Sequence, residues 1–413
     1  METLKVGFVG SGFIADFHLK AMGQVRSMEL QGLLPRSGSE QLAATARRQG
    51  LGQAVIYPTV AAMAETVDAI AIYCPNDVKV AVMEEIAAAK KRGARVMGVI
   101  CDKPLGRNVA EAQRIVDLAD DAGLRTAYFE NQIFMKSVRA ALRQIAPQQQ
   151  AMGPLMLTRS AEEHGGPHKP WFWDPKVQGG GVLSDMGCHS IAVGWYALTP
   201  FDRPLRFLQP VDVQCSVGLL KWGQPAWRAA LWQKHRVDYG RTPAEDFATG
   251  VITFRNPETG QLVKAQFTDS WMYEKQGLRL LMDGMGPGYA FEVNTLQSPV
   301  SVFIGDDAAA TVADRETALE KSLASRGLLS LQANESDLYG YVDENADAAA
   351  NFLEGRDGAL PFSYGLEIMK LVMAAYLSAE TKRHVSLVDE TIQRELARYV
   401  PAIQQGHGAD VLY

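Results

Sequence analysis

Asp185 and His189 stand four residues apart in the run Gly179-Gly180-Gly181-Val-Leu-Ser-Asp185-Met-Gly-Cys-His189. The three glycines lead into a segment whose pattern predicts a helix over 182–198, and a spacing of four puts both side chains on one helical face. A carboxylate beside an imidazole orients the ring and stabilises its charged form, which suits a general base. Taken alone, the same pair also fits a helix-surface contact worth roughly a few tenths of a kcal/mol. Lys103, in Cys101-Asp102-Lys103-Pro104, falls where a strand is expected to end. A lysine there can hydrogen-bond a ligand oxygen and ease loss of its proton, or it can be an ordinary solvated loop lysine.

These groups need a frame to hold them, and the clearest part of it is Val6-Gly-Phe-Val-Gly10-Ser-Gly12-Phe13-Ile14-Ala15. It reads as a buried strand, a tight turn and a helix start. Gly10 allows the turn, Gly12 lets the backbone approach a pyrophosphate, and Ala15 lets helix and strand pack closely. A diphosphate would rest on the N–H groups at the start of a helix over 13–25, beside Phe13 and Ile14. Strands are predicted at 5–9, 28–34, 54–57, 69–73, 96–101 and 125–129, with helices between them. Asn108 and Glu111 look like a capping box. This alternation implies an α/β unit, a doubly wound parallel sheet over 1–130 that binds ligands at the carboxyl ends of its strands. Those ends fall at Gly10, at Pro35, at Cys74-Pro75-Asn76 and at Asp102-Lys103-Pro104, and Glu130 follows the last strand. The second strand ends in Leu33-Leu34-Pro35-Arg36-Ser37 without an acid to bind a ribose. Arg36 and Ser37 suit a 2′-phosphate, which favours NADP over NAD, although an arginine stacked on adenine would serve either.

After Phe134 the pattern changes to strand-like runs joined by turn residues. Strands are predicted at 155–160, 211–218, 226–233, 250–254, 262–270, 278–282, 289–292 and 300–303, and a helix at 136–145 ahead of the polar stretch 147–150. The expectation is a second, α+β domain over 131–413 with a large, mostly antiparallel sheet. A polar helical segment is expected at 308–337, and a closing helix at 364–380 that packs back toward the first domain. The loop His164-Gly-Gly-Pro-His168-Lys169-Pro-Trp171-Phe172-Trp173-Asp174 precedes the glycine run. Its flat rings suit the apolar faces of sugars, so His164, His168, Trp171 and Trp173 are candidates to line a carbohydrate pocket. Core packing or a subunit contact is the other fate open to the tryptophans. The spacing of these histidines with Asp185 and His189 matches no standard zinc site, so no metal is expected.

The chain has 413 residues, 47% of them hydrophobic and 21% charged, which suffices for two ordinary cores. Its net charge of −6 and the lack of long basic runs argue against nucleic-acid or anionic-membrane partners. No apolar stretch approaches the ~20 residues of a membrane span, and the first residues lack the form of a signal peptide. Cys74, Cys101, Cys188 and Cys215 are scattered and read as reduced thiols of a cytoplasmic protein. A large antiparallel sheet with helices on one face also suggests a homodimer or homotetramer through the other.

Together these anchors resemble the Gfo/Idh/MocA family of sugar dehydrogenases and related oxidoreductases over nearly the whole chain. They are Gly10-Ser-Gly12-Phe13-Ile14-Ala15 with His18, then Pro75-Asn76, Asp102-Lys103-Pro104, Gly180-Gly181 with Asp185 and His189, and Ala375-Tyr-Leu-Ser-Ala-Glu380. The resemblance implies that Lys103, Asp185 and His189 form the catalytic set. His189 would take a hydroxyl proton as hydride leaves the adjacent carbon for a nicotinamide, Lys103 would assist at that oxygen, and Asp185 would hold the imidazole. The substrate implied is a sugar, polyol or sugar acid. A redox-neutral glycoside hydrolase that oxidises its substrate transiently could use the same residues, and a non-catalytic NAD(P)-binding sensor is a third reading. The chain departs from the common family pattern at Asp102 (often Glu), Lys79 (often His), Ile133 (often Arg) and Lys136 (often Pro). The last two departures fall beside the expected substrate pocket.

Overall fold

The computed structural model describes residues 2–274, 278–297, 301–304, 327–330 and 334–413. They form two compact units, one of 1–136 with 336–369 and one of 137–335 with 370–413.

The first unit is built on six strands: β1 Leu4–Val9, β2 Met28–Leu33, β3 Val55–Ile56, β4 Ala69–Ile72, β5 Gly98–Asp102 and β6 Arg125–Phe129. All adjacent strands run parallel, in the order β3-β2-β1-β4-β5-β6. The strand sequences explain this, since β4 is Ala-Ile-Ala-Ile with every residue buried, as a sheet covered on both faces demands. The order reverses between β1 and β4, so a crevice opens at their carboxyl ends. Part of the cover comes from far along the chain. Helix Tyr341–Leu353 packs on β1, β2, β6 and helix Phe13–Met22. His18 is buried there, its Nδ1 accepting from Asn345 Nδ2 at 2.9 Å and its ring stacked on Tyr73. Burial holds the His18 imidazole neutral by lowering its pKa to about 3. Asn108 caps helix Val109–Asp121 by accepting from Glu111 N–H, but the expected reciprocal bond is redirected, because Glu111 accepts from Arg107.

The second unit holds a seven-stranded mixed sheet. Its strands are β7 Leu157–Glu163, β8 Gln209–Gly218, β9 Phe247–Arg255, β10 Leu262–Ser270, β11 Arg279–Gly286, β12 Tyr289–Asn294 and, after the ribbon of β13 Ser301–Ile304 and β14 Gly327–Ser330, β15 Val385–Ser386. The order is β12-β11-β7-β10-β9-β8-β15, antiparallel throughout except for the central β7–β10 pair. Helix Cys188–Leu198 lies across β7 and β10. Val263, Ala265 and Phe267 alternate inward along β10, and Lys264 and Gln266 alternate outward.

Two expectations are corrected here. Residues 226–233 are not a strand but lie within helix Pro225–His235. Proline at the first helical turn needs no N–H, and Ala, Leu, Arg, Gln and Lys favour helix. The helix expected to end at 145 runs through Pro147 to Met152. Glutamines and alanines on either side of the proline are good helix formers and sustain it, despite a cost of about 3 kcal/mol for an interior proline. The segment expected to be helical at 308–337 lies mostly outside the described residues, and its described part holds the strand β14 and most of the short helix Glu335–Leu338. No helix among the described residues is long and apolar enough to cross a membrane.

Candidate active site

In the first unit, Gly10 takes φ +130°, and a Cβ there would sit 2.1 Å from the carbonyl oxygen of Tyr73. β1 and β4 can therefore close on each other at the crevice only because residue 10 has no side chain. Gly12 differs, for a Cβ there would meet nothing within 4 Å. Gly12 is also the N-cap of helix Phe13–Met22, which no side chain caps. Open space in front of an uncapped helix start fits a bound diphosphate. Gly12→Ala is accordingly expected to leave the melting temperature unchanged and to weaken NADH binding about tenfold or more, read by nicotinamide fluorescence. Unchanged affinity would show that nothing approaches that position closely.

Around this turn, Ser11 Oγ donates to the Ser37 carbonyl at 2.8 Å, which ties the β1 turn to the end of β2. Arg36 is exposed, and its N–H donates to Ser39 Oγ. Its guanidinium makes no ion pair among the described residues. Asn76 is buried where the chain turns from β4 into helix Lys79–Lys91, with Cys74 and Pro75 half-buried before it. Burial raises the Cys74 thiol to about 12, so it stays protonated. Glu130 is buried at the end of β6. Lys103 N–H donates to Asp102 Oδ1 at 3.0 Å, and the Lys103–Pro104 peptide is cis. Lys79 is buried against this loop, its ammonium donating to the carbonyls of Asp102 and Pro104.

In the second unit, the glycine run is pinned by residues distant in sequence. Gly181 N–H and Leu183 N–H donate to Glu245 Oε1 at 2.9 and 3.0 Å, and Tyr376 Oη donates to the same oxygen at 2.5 Å. A Cβ on Gly181 would come 2.1 Å from the Glu245 carbonyl oxygen, so the close approach requires glycine. Burial raises the Glu245 pKa to about 7, against the Tyr376 hydrogen bond that lowers it. From this anchor the chain makes a π-helical turn, Leu183–Gly187, and continues as helix Cys188–Leu198. Wide turns of this kind are frequent at functional sites.

Asp185 and His189 lie on this turn and helix, each only 4% exposed. His189 Nε2 is 3.9 Å from Glu162 Oε2 on β7. Beneath them Asp269 of β10 accepts from Ser190 Oγ at 2.6 Å and from Glu162 N–H at 3.3 Å. Burial, with the Glu162 charge adding to it, pushes the Asp269 pKa well above the usual carboxylate range. Neither Glu162 nor Asp269 was singled out from sequence. The available signal was polar alternation, since Thr158, Ser160 and Glu162 share the buried face of β7.

Of the aromatic loop, Trp171 is half-buried and stacked on Phe172 at 3.8 Å. Trp173 is 1% exposed, packed edge-on against Trp222, Trp271 and Tyr239, and donates to the Pro167 carbonyl. His164 is buried, with Nδ1 accepting from Gly166 N–H, and His168 is half-buried near Phe172. No group of three His, Cys, Asp or Glu side chains among the described residues is placed to hold a metal ion.

A parallel sheet in this order, with a glycine turn at its reversal point, defines a dinucleotide-binding α/β protein. Residues 4–129 match the model of the oxidoreductase family with an NAD-binding Rossmann fold, Gfo/Idh/MocA, and residues 140–284 match the Gfo/Idh/MocA C-terminal domain. The chain belongs to this family. A D-glucoside 3-dehydrogenase of Escherichia coli K12 is 24% identical over 405 residues, 94% of this chain and 98% of its own length. Among solved structures, GenD2 from gentamicin A biosynthesis, in complex with NAD, superposes with a TM-score of 0.72 at 19% identity, over 94% of this chain and 97% of its own. A levoglucosan dehydrogenase in complex with NADH and L-sorbose gives 0.66 at 18% identity, over 94% and 99%.

Proposed function

We propose that this chain is an NAD(P)-dependent dehydrogenase that moves hydride between the nicotinamide and a hydroxyl-bearing carbon of a sugar, polyol or sugar acid. The observation that carries the reading is His189, a buried imidazole beside the Glu162 carboxylate, on a helix whose start is anchored by a glycine run. The D-glucoside and levoglucosan dehydrogenases similar to this chain support a carbohydrate-like substrate. In this reading His189 takes the proton of the substrate hydroxyl, and Glu162 stabilises the imidazolium that forms. Asp185 keeps the ring in register, and Lys103 supports the charge that builds on the oxygen. The nicotinamide, when bound, supplies the hydride acceptor or donor. Gly10, Gly12, Phe13 and Ile14 would receive its diphosphate, and Cys74, Pro75, Asn76 and Glu130 would border it. His164, His168 and Trp171 are the substrate-side candidates, with Trp173 supporting the loop from the core.

The test follows reduced-nicotinamide absorbance with the purified protein, NAD or NADP, and a panel of sugars, polyols, sugar acids and glycosides. Sustained growth with one compound is expected. Release of aglycone from a glycoside without net growth would overturn the dehydrogenase reading in favour of redox-neutral hydrolysis.

The cofactor preference falls to the end of β2, where no acid is available for a ribose and an exposed arginine is. NADP is the preferred cofactor in this reading. Arg36→Ala is expected to weaken NADPH binding about tenfold or more and NADH binding less than about threefold, since only the former offers a phosphate to the guanidinium. Equal losses would assign Arg36 to the adenine instead. A homodimer or homotetramer through the open face of the seven-stranded sheet belongs to the same reading, and light scattering on the purified chain tests it.

A further inference from the structure

We infer that Lys79 is a positioning residue for Lys103, and this rests on the reading that Lys103 acts at the substrate oxygen. Lys79 opens helix Lys79–Lys91 and is 1% exposed. Its Nζ donates to the Asp102 carbonyl at 2.6 Å and to the Pro104 carbonyl at 2.5 Å. These belong to the residues immediately before and after Lys103. The Lys103 N–H is itself held by Asp102 Oδ1 at 3.0 Å. The backbone of Lys103 is therefore fixed on both sides by one ammonium and at its own N–H by a carboxylate.

The cost of this arrangement argues that it does something. A buried ammonium is expensive unless it is compensated. Among the described residues no carboxylate pairs with Lys79. The thiols of Cys74 and Cys101 lie close enough to feel its charge, and burial raises them to about 12 and about 11, so they stay neutral near pH 7. What compensates the charge is the pair of carbonyls. An ammonium carries three donors and can serve two carbonyls at once, whereas a neutral histidine has a single N–H. A lysine at position 79 thus grips both ends of the tripeptide Asp102-Lys103-Pro104. Catalytic groups must be held tightly, because a displacement of about 1 Å costs on the order of 10²-fold in rate.

The experiment uses the full chain with Lys79→Met, which keeps length and burial but has no donor, and Lys79→Gln, which keeps one amide donor group. Hydrogen exchange, which needs no substrate, is expected to show faster exchange of the amides over 102–106 in Lys79→Met, with β4 and β6 unchanged. With the panel compound that reduces nicotinamide fastest, Lys79→Met is expected to lower kcat about 30-fold or more and leave NADH affinity within about threefold. Lys79→Gln should recover part of that loss. In a Lys103→Ala background Lys79→Met should cost nothing further. Unchanged exchange at 102–106, the same loss with and without Lys103, or no recovery with Gln would each overturn the inference. If Lys79→Met does not fold, the exchange and coupling measurements on Lys79→Gln decide it. Full activity in Lys103→Ala alone would instead overturn the catalytic assignment of Lys103.

Discussion

His189→Asn is expected to lower kcat by about 10³-fold while NADH binding stays within about threefold of wild type. Asparagine matches the imidazole in polarity and approximate size but cannot take a proton near neutral pH. The loss should therefore fall on the chemical step rather than on folding or on the cofactor. The surroundings of His189 favour a large effect. The ring is buried, lies 3.9 Å from the Glu162 carboxylate, and rides on a helix packed across the two central strands of the sheet. Steady-state kinetics with the best panel substrate checks this. A rise in KM with kcat intact would make His189 a substrate-binding group rather than the base.

Glu245→Ala is expected to destabilise the second unit by about 4 kcal/mol, because it strands three buried donors at once. Those donors are the N–H groups of Gly181 and Leu183 and the hydroxyl of Tyr376. Glu245→Gln keeps an acceptor oxygen in place and isolates the charge. Burial raises the folded pKa of Glu245 to about 7 from the ordinary 4.5 of an exposed glutamate, so the folded state binds the proton more tightly than the unfolded chain. Its contribution is fully present below pH 4.5 and is lost as pH rises through about 7, an effect of about 3 kcal/mol. His18 works the other way. Its folded pKa of about 3 lies below the ordinary 6.5 of an exposed imidazole, so stability is lost as pH falls from 6.5 toward 3. The informative quantity is therefore the difference between wild type and Glu245→Gln, which cancels His18. The variant is expected to gain melting temperature relative to wild type between pH 5 and pH 8. Parallel curves would mean that Glu245 is already charged at the lower pH.

Local signals carried the first unit. The strand–glycine–helix start, the buried apolar strands and the Asn108 cap each depend on a few neighbouring residues, and the six-stranded sheet follows from their alternation. The second unit was less legible where a short window supports two periods. Residues 226–233 form a largely apolar run of strand length, yet they follow Pro225 and consist largely of helix formers. The supports of the site were the least legible. Glu245 reaches the glycine run across more than sixty residues, Glu162 meets His189 from another strand, and Lys79 is buried where a lysine is normally solvated. None of these pairings has a local signature, because each is fixed only when the sheet brings its strands together.

The helix Tyr341–Leu353, which covers β1, β2 and β6, also sets a schedule for folding during synthesis. The parallel sheet is complete once β6 ends at Phe129, but the residues that bury His18 and close over Gly98 arrive only with Asn345 and Phe352. At a ribosomal rate of about 5–20 residues per second, that gap lasts on the order of 10–40 s. For that interval the nascent nucleotide-binding unit presents an uncovered apolar surface while the whole second sheet is being made. Fragments ending near residue 136 should therefore be aggregation-prone although they contain every strand of the sheet, and a chaperone that shields apolar surface should raise the yield of the full chain.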